Sequence, residues 1–448
     1  MKYLYTTASK TLAISIILLF VFSFAQAQKN TDSPYSRYGI GLINTTTFNG
    51  NFGMGGAGIA WRPFQYKPLI YDSLARSNAK LNDRGTNQIN GVNPASFSNI
   101  SLTTFEAALI SRNARYTSGS QSRVGSNTQL SHMSIAFPIG EKLGVGFGIR
   151  PYSFVGYDYS DTSSINNNKI NYTNEGSGGI NEIFVGVGYG FLEHFSVGLN
   201  AKYYFGKITD DRRVVYGANG TNFFNVLDQR EVKVSSVALE IGAQYFKDLN
   251  SKYRLVVGAI ISPNDQLNAE QSRLVRNYTG DVNLERFKDT SLFVDDQSVD
   301  IANNATYGIG VSIEKKLKWM LTADFKAQSW GDQELAEGIE RSSNQLIHVG
   351  FDKYVSATAF GSYWERIGYR AGMRYNSSLL RVDNEDISEF GISFGLTLPL
   401  RKTFSTLNIG VEVGQRGKDE LGLTKEEFFN FQVGVVINDK WFIKRKYD

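Results

Sequence analysis

The residues that could carry out acid–base chemistry are few in this chain. It contains three histidines, His132, His194 and His348, and no cysteine. Catalysis by a serine hydroxyl requires a base beside it, and His132 stands close to Ser131 and Ser134. Neighbouring side chains of a strand point to opposite faces, so Ser131 would be poorly placed for this role. The sequence therefore predicts no catalytic residues and a protein that is not an enzyme.

A glycine-rich stretch offers a second candidate for chemistry. Gly53, Gly55, Gly56 and Gly58 fit the pattern G-x-G-x-x-G. A dinucleotide site needs a strand before this pattern and a helix after it, and neither periodicity is present here. Close packing of the backbone explains the glycines better. No His or acidic cluster has metal-ligand spacing, so the sequence predicts neither a metal site nor a cofactor.

Three arginines share one face of a predicted strand, namely Arg366, Arg370 and Arg374. One interpretation is a clamp for a ligand carboxylate, because guanidinium groups bind carboxylates in bidentate fashion. The other is a ladder of interior charges that pairs with acidic residues and braces a plug. We favour bracing, although the sequence leaves both interpretations open.

The elements that position these residues begin with an export signal. Lys2 and Lys10 form a positively charged start, an apolar stretch follows, and Ala25-Gln26-Ala27 resembles a cleavage site. This pattern is typical of a signal peptide over residues 1–27. The mature chain then divides into an irregular N-terminal part, residues 28–100, and a part with two-residue alternation, residues 101–448.

The alternation predicts an all-β fold, a transmembrane antiparallel β-barrel. In the stretch 143–150, Leu143, Val145, Phe147 and Ile149 alternate with glycines and Arg150. Similar stretches recur to give about 14 strands, and short links alternate with long ones, which is typical of outer-membrane barrels. A soluble β-sandwich is the less favoured alternative. The predicted location is the outer membrane, with both termini in the periplasm.

The glycine-rich part before the first strand has the composition of a plug. It contains aromatic residues such as Trp61, which argue against disorder. Asn93-Pro94-Ala95 stands directly before the first predicted strand. Wide barrels are often plugged, so residues 28–100 are expected to form a hatch inside the barrel.

These motifs resemble those of the FadL-type outer-membrane transporters of hydrophobic compounds. The resemblance is carried by the stretch Gly53–Gly58 and by Asn93-Pro94-Ala95-Ser96. The opening stretch 33–39 and the tail 441–448 look like the Bacteroidota branch of that family. The resemblance implies transport of molecules such as long-chain fatty acids, which enter from outside, bind in the barrel and leave sideways through its wall.

Two other functions stay open. Some FadL-like barrels act as shuttle subunits of type IX secretion, so a protein-binding role is the first alternative, and a diffusion porin is the second. The expected partners are outer-membrane lipid, a hydrophobic small-molecule ligand and, in the shuttle role, other envelope proteins. A net charge of +4 over 448 residues is too small to argue for nucleic acid.

Overall fold

The architecture was derived from a computed structural model of the chain. The structure describes residues 31–439 except 45–47, 64–87, 166–167, 217–222, 264–265, 281–284, 304, 317, 331–332, 337–338, 342, 355–362, 379, 383–384, 401–402, 404 and 421. The predicted signal peptide and the tail 441–448 lie outside the described residues. Within the described part, no helix is long and apolar enough to cross a membrane.

Nearly all regular structure is β-strand. The helices are short: α1 is Asn49–Phe52, and 3₁₀ helices span Pro34–Arg37, Pro94–Asn99 and Tyr363–Arg366. The strands, in chain order, are β1 Leu42–Ile43, β2 Thr103–Ser118, β3 Gln121–Ile139, β4 Leu143–Ile165, β5 Asn168–Leu192, β6 Phe195–Tyr216, β7 Asn225–Asp248, β8 Tyr253–Ser262, β9 Gln266–Thr279, β10 Arg286–Ala302, β11 Ala305–Lys315, β12 Trp319–Ser329, β13 Gln333–Ala336, β14 Ile339–Arg341, β15 Asn344–Lys353, β16 Gly368–Asn376, β17 Arg381–Val382, β18 Glu385–Asp386, β19 Glu389–Pro399, β20 Thr406–Arg416 and β21 Lys425–Asp439.

The strands close into a 14-stranded antiparallel barrel, which confirms the predicted fold class. The first barrel strand, β2, pairs with β3 on one side and with the last strand, β21, on the other. The barrel strands are β2 to β8, β11, β12, β15, β16 and β19 to β21. Thr103 pairs with Asp439, so the barrel begins and ends at the same rim. We call this rim the turn end and the opposite rim the loop end.

The barrel wall is apolar outside and polar inside. On β11, Ile309 and Val311 are 63% and 47% exposed, whereas Ser312 and Glu314 are buried. Alternate residues of a strand face opposite sides of the sheet, so the exposed apolar residues form a band that faces lipid. The polar residues of the same strands face the interior, where they meet the N-terminal part of the chain.

The links at the loop end differ from the expected long loops. Segments 160–178 and 209–230 are largely continuations of the barrel strands β4 to β7, and segment 265–298 contains the hairpin β9–β10. Segment 117–127 is a hairpin that turns at residues 119–120. Regular apolar alternation stops above the lipid band because neither face of the strand meets lipid there. The sequence pattern therefore missed these extensions.

Candidate functional site

The barrel interior is occupied by residues 48–63 and 88–100, which we call the inner segment. Met54 and Ile59 are fully buried. The backbone amides of Gly58 and Ile59 donate hydrogen bonds of 2.6 and 2.8 Å to Oδ2 of Asp324 on β12. His348 on β15 contacts the carbonyl oxygen of Gly55 through Nδ1 at 2.7 Å. The inner segment is thus hydrogen-bonded to inward-facing groups of the wall.

The glycines predicted to pack closely do so against the wall. Gly55 has a φ of +64°, which favours glycine, and its amide donates to Ser393 Oγ at 2.8 Å. A Cβ on Gly55 would lie 2.5 Å from the carbonyl oxygen of Met373. Gly56 also has a positive φ, and a Cβ on Gly53 would lie 2.8 Å from the Cα of Gly395. These contacts explain why these positions are occupied by glycine.

The Asn-Pro-Ala motif stands at the start of a 3₁₀ helix inside the barrel. The side chain of Asn93 caps this helix, because its Oδ1 accepts a hydrogen bond from the amide of Ala95 at 3.0 Å. Its Nδ2 donates to the carbonyl oxygen of Ile59 at 2.8 Å, which joins the two halves of the inner segment. Pro94 packs on the strand faces where Gly198 stands. The motif therefore has a structural role that matches its position before β2.

Two of the three predicted arginines lie on β16 and point inward. Arg370 lies 3.3 Å from Asp352, measured from Nε to Oδ1, and donates from Nη2 to Gln88 Oε1 at 2.9 Å. Arg374 pairs with Glu389 and with Glu412. Both guanidinium groups are thus matched by carboxylates of the protein, which favours bracing over a ligand clamp.

Arg366 requires a correction of its expected place on the same strand. It lies in the 3₁₀ helix Tyr363–Arg366, because β16 begins only at Gly368. Its guanidinium carbon lies 5.5 Å from the centre of the Tyr363 ring. Arg366 therefore sits at the turn end and does not extend the interior ladder of charges.

Ser131 and His132 also depart from the expected geometry. A register shift in the β2–β3 pairing at Ala108 and Leu109 lets both side chains face inward. Ser131 Oγ lies 3.3 Å from His132 Nδ1, and His132 Nε2 lies 3.6 Å from Glu106 Oε2. All three side chains are buried, and Ser131 lines none of the cavities described below. Glu106 accepts the amide hydrogen of Ile89 at 2.6 Å, so this trio anchors the inner segment.

A cavity of about 160 Å³, the inner cavity, lies between the N-terminal part and the wall. Its apolar side includes Ile43, Ile260 and Leu346. Its polar side contains two ion pairs, Arg150 with Glu182 and Lys202 with Glu240, at 2.9 and 2.7 Å. Lys326 also lines the cavity, and it makes no hydrogen bond or ion pair with any residue that the structure describes.

The barrel wall parts between β3 and β4. These strands pair only from Met133 opposite Ile149 to Ile139 opposite Leu143. Met133 stands beside Ala107 of β2, which in turn stands beside Val435 of β21. Farther along β21, towards the loop end, lipid-facing residues continue to Phe431 and Phe429, which are 38% and 46% exposed. The β3–β4 gap therefore opens within the lipid-facing band.

Residues 31–44, which we call the N-terminal segment, fill this gap. Strand β1 pairs with β4 through Leu42 opposite Phe154 and Ile43 opposite Ser153. A second, smaller cavity of about 60 Å³ lies on the other side of β1, where its lining includes Arg112 of β2, Arg374 of β16 and Glu412 of β20. Residues 42–44 line both cavities, so β1 stands between them.

Polar contacts with the barrel wall hold the N-terminal segment in place. Ser33 Oγ donates to Glu426 at 2.5 Å, and Glu426 accepts from Arg416 at 2.6 Å. The hydroxyl of Tyr35 donates to the carbonyl oxygen of Thr424 at 2.6 Å. The resemblance implied a sideways exit, but the sequence did not predict the position of the gap or the segment that fills it. Their signals are the breaks in alternation: Pro151 on β4, and Gly178 and Gly179 on β5, both with positive φ.

The comparisons with known proteins match this architecture. A family model described as BamG matches residues 9–66 and 80–448. Among solved structures, the Pseudomonas putida toluene transporter TodX has a TM-score of 0.51 at 13% identity, over 91% of this chain and 99% of that chain. A Pseudomonas aeruginosa FadL homologue has a TM-score of 0.52 at 12% identity, over 89% and 99%. The Ralstonia pickettii toluene transporter TbuX has a TM-score of 0.51 at 10% identity, over 86% and 96%.

At these identities the structural likeness concerns the fold, and it confirms the expected FadL-type outer-membrane barrel. No curated protein matches the chain.

Proposed function

We propose that this chain, which belongs to the BamG family, passes small hydrophobic molecules across the outer membrane and releases them through the β3–β4 gap. One observation carries the proposal: within the described part of the chain, β1 lies against β4 beside the gap in the wall, and it stands between two internal cavities. Displacement of β1 would join the two cavities.

The inner cavity suits an apolar molecule with one acidic group. Its wall combines Ile43, Ile260 and Leu346 with the Lys326 ammonium, and ligand sites commonly combine apolar walls with a few polar groups. A long-chain fatty acid has this chemistry. A cavity of about 150 Å³ holds one benzene ring, so a longer ligand requires β1 to move aside. Ligand entry and opening of the gap would therefore be coupled.

Sideways release suits an apolar molecule because it avoids passage through water. The contacts of β1 with the wall are local. Besides the two residue pairs with β4, the amide of Asn44 donates to the carbonyl oxygen of Tyr152 at 2.8 Å, its Nδ2 donates to that of Pro151 at 2.8 Å, and its Oδ1 accepts from Arg112 at 2.8 Å. Only a short stretch of backbone has to be freed, whereas the rest of the wall stays paired.

The inner segment acts in this proposal as the hatch that closes the remaining lumen. The proposed division is a signal peptide over residues 1–27, a hatch over 28–100 and the barrel over 101–448, with both termini in the periplasm. Arg370 and Asp324 hold the described part of the hatch in place, where it would obstruct passage along the barrel axis. This arrangement supports a gated route and argues against a diffusion porin.

A protein-binding role is the second candidate, and the extensions of β4 to β7 favour it. β6 continues from the lipid-facing Tyr203 to Tyr216, and strands rise about 3.3 Å per residue. This wall stands well beyond the lipid band, where a protein partner has room to bind. Capture of secreted proteins by the purified barrel, lost when the extensions are shortened, would support this role.

The test of transport locks β1 in the gap. The chain has no cysteine, so Leu42→Cys with Phe154→Cys introduces a single pair across β1 and β4. Facing residues of antiparallel strands lie about 4.5–5.5 Å apart, which suits a disulfide. We expect uptake of labelled oleate and of toluene to fall to background when the pair is oxidised and to recover on reduction.

The matched control is Ile309→Cys with Phe325→Cys, which links two strands that stay paired in the proposed cycle. Its uptake should not respond to oxidation. Normal uptake through the oxidised Leu42–Phe154 variant would rule out the β3–β4 gap as the exit. Absence of uptake by the unmodified protein would rule out transport itself.

A further inference from the structure

A third cavity lies at the loop end of the β3–β4 gap, on the outer side of the N-terminal segment. This outer cavity has a volume of about 360 Å³. The residues that matter for its chemistry are Asp32, Arg37, Arg123, Tyr157, Asp158 and Tyr159. The sequence patterns assigned no role to any of them. Its position makes it the first part of the route that a molecule from outside would meet.

Arg37 is presented to this cavity in a fixed orientation. It ends the 3₁₀ helix Pro34–Arg37 and is exposed. Its guanidinium carbon lies 4.5 Å from the centre of the Tyr38 ring and 5.5 Å from that of Tyr159. Arg37 makes no hydrogen bond or ion pair with the described residues. Stacking on rings uses the faces of the guanidinium and leaves its N–H edges available.

The other charged groups of the outer cavity have partners already. Asp32 lies 3.6 Å from Arg123 and accepts a hydrogen bond from Asn127 at 3.2 Å. Asp158 also takes part in an interaction and is not free. Among the described lining residues, Arg37 is therefore the charged group that remains available to a ligand. The ligand group that complements its positive charge is an anion.

The aromatic wall of the cavity is held in place as well. The hydroxyl of Tyr157 donates to Asp210 at 2.8 Å. Its ring centre lies 6.1 Å from that of Tyr159. Two neighbouring rings at this spacing offer a surface for a third ring, since aromatic pairs prefer centre separations of about 4.5–7 Å.

We infer that the outer cavity binds small aromatic carboxylates. The carboxylate would accept two hydrogen bonds from Arg37, and the ring would pack on Tyr159 and Tyr157. A cavity of about 150 Å³ holds one benzene ring, so the outer cavity has room for a substituted ring. The inference rests on the proposed function, because it makes this site the capture step of the same route.

The test measures binding to the purified full-length barrel by calorimetry, with three probes. Benzoate has both ring and charge, benzamide has the ring alone, and acetate has the charge alone. We expect benzoate to bind at least tenfold more tightly than either of the others. In Arg37→Gln, the affinity for benzoate should fall by roughly 10- to 100-fold, the range expected for lost hydrogen bonds to a charged group. The affinity for benzamide should be unchanged.

One variant serves as the control and two as further tests. Arg123→Gln removes the same charge from the same cavity at a residue that is already paired with Asp32, and it should retain benzoate binding. Lys326→Met alters the inner cavity and distinguishes the two sites, since benzoate bound in the outer cavity does not depend on Lys326. Tyr159→Leu removes the stacking ring and should lower the affinities for benzoate and for benzamide alike.

Equal binding of benzoate and benzamide by the wild-type protein would overturn the inference. So would full benzoate affinity in Arg37→Gln, or a loss confined to Lys326→Met, which would place the ligand in the inner cavity. The transport proposal is tested separately by the disulfide lock with oleate and toluene. Uptake of toluene by a protein that does not bind benzoate would refute the outer site alone.

Discussion

Arg370 of β16 donates a hydrogen bond of 2.9 Å to Gln88 of the inner segment, and the same guanidinium lies 3.3 Å from Asp352 of β15. One side chain thus joins the inner segment, our proposed hatch, to the wall. Both members of the ion pair are buried. Removal of one member of such a pair leaves a buried charge without its partner.

Arg370→Ala should lower the stability of the protein by about 3–5 kcal/mol and loosen the hatch. Chemical denaturation of the barrel and protease sensitivity of the region 64–87 would measure the two effects. Arg366→Ala is the matched control, since Arg366 lies at the turn end and should have little effect. If Arg370 instead clamps a ligand carboxylate, Arg370→Ala would spare the fold and selectively reduce oleate uptake relative to a neutral hydrocarbon of equal length.

Asp324→Ala should detach the centre of the inner segment. The carboxylate accepts hydrogen bonds from Gly58 and Ile59, and each bond to a charged group contributes about 1.5–3 kcal/mol. Thr322→Ala changes a buried neighbour on the same face of β12 and serves as the control. We expect larger single-channel conductance for Asp324→Ala only. Equal conductance in the two variants would contradict a holding role for Asp324.

Gly372→Val should displace the hatch by steric overlap. A Cβ at Gly372 would lie 2.1 Å from the carbonyl carbon of Met54 and 2.3 Å from the amide nitrogen of Gly55. The wall should still form, so the variant should reach the membrane with an exposed, cleavable inner segment. Gly190→Val is the control, because the nearest atom there is 3.7 Å away. Protease resistance equal to that of the control would show that the hatch does not press on β16.

The attachment of the N-terminal segment should weaken in alkali. Burial, with a further contribution from Glu426, raises the pKa of Tyr35 to about 12, above its ordinary value of about 10. The attached segment binds the Tyr35 proton more tightly than the released one. The resulting stabilisation of the attached state is complete below pH 10 and is lost as the pH rises to 12.

Release of this segment between pH 10 and 12 can be followed by protease cleavage near residue 39. In Tyr35→Phe, which lacks the ionising group, the dependence of cleavage on pH should flatten. Tyr159→Phe is the control and should behave like the unmodified protein. A Tyr35→Phe profile that kept its rise above pH 10 would exclude Tyr35 as the group responsible.

The sequence correctly predicted the parts of the barrel strands whose outer face contacts lipid. Val185 and Val187 on β5 are both exposed on the outer face, and such alternation is easily recognised. Above the band no strand face meets lipid, so the extensions of β4 to β7 lack a regular apolar period and were expected to be loops. Ser131 was misplaced for a related reason, because the register shift beside Leu109 turns two neighbouring side chains inward. Contacts between distant residues, such as Gly55 with Ser393, leave no local pattern at all.

The hydrogen bond from Gly55 to Ser393 also constrains how the protein reaches its final state. Gly55 and Ser393 are 338 positions apart in the chain. Gly58 and Asp324, which are also hydrogen-bonded, are 266 positions apart. The inner segment is synthesised early, yet its partners come from the last third of the chain. Because such distant contacts form only after the intervening chain is ordered, the segment made first becomes ordered last. Barrel closure and hatch insertion would then be one late event, and a machine that inserts this barrel must keep the hatch inside while the seam between β2 and β21 is still open.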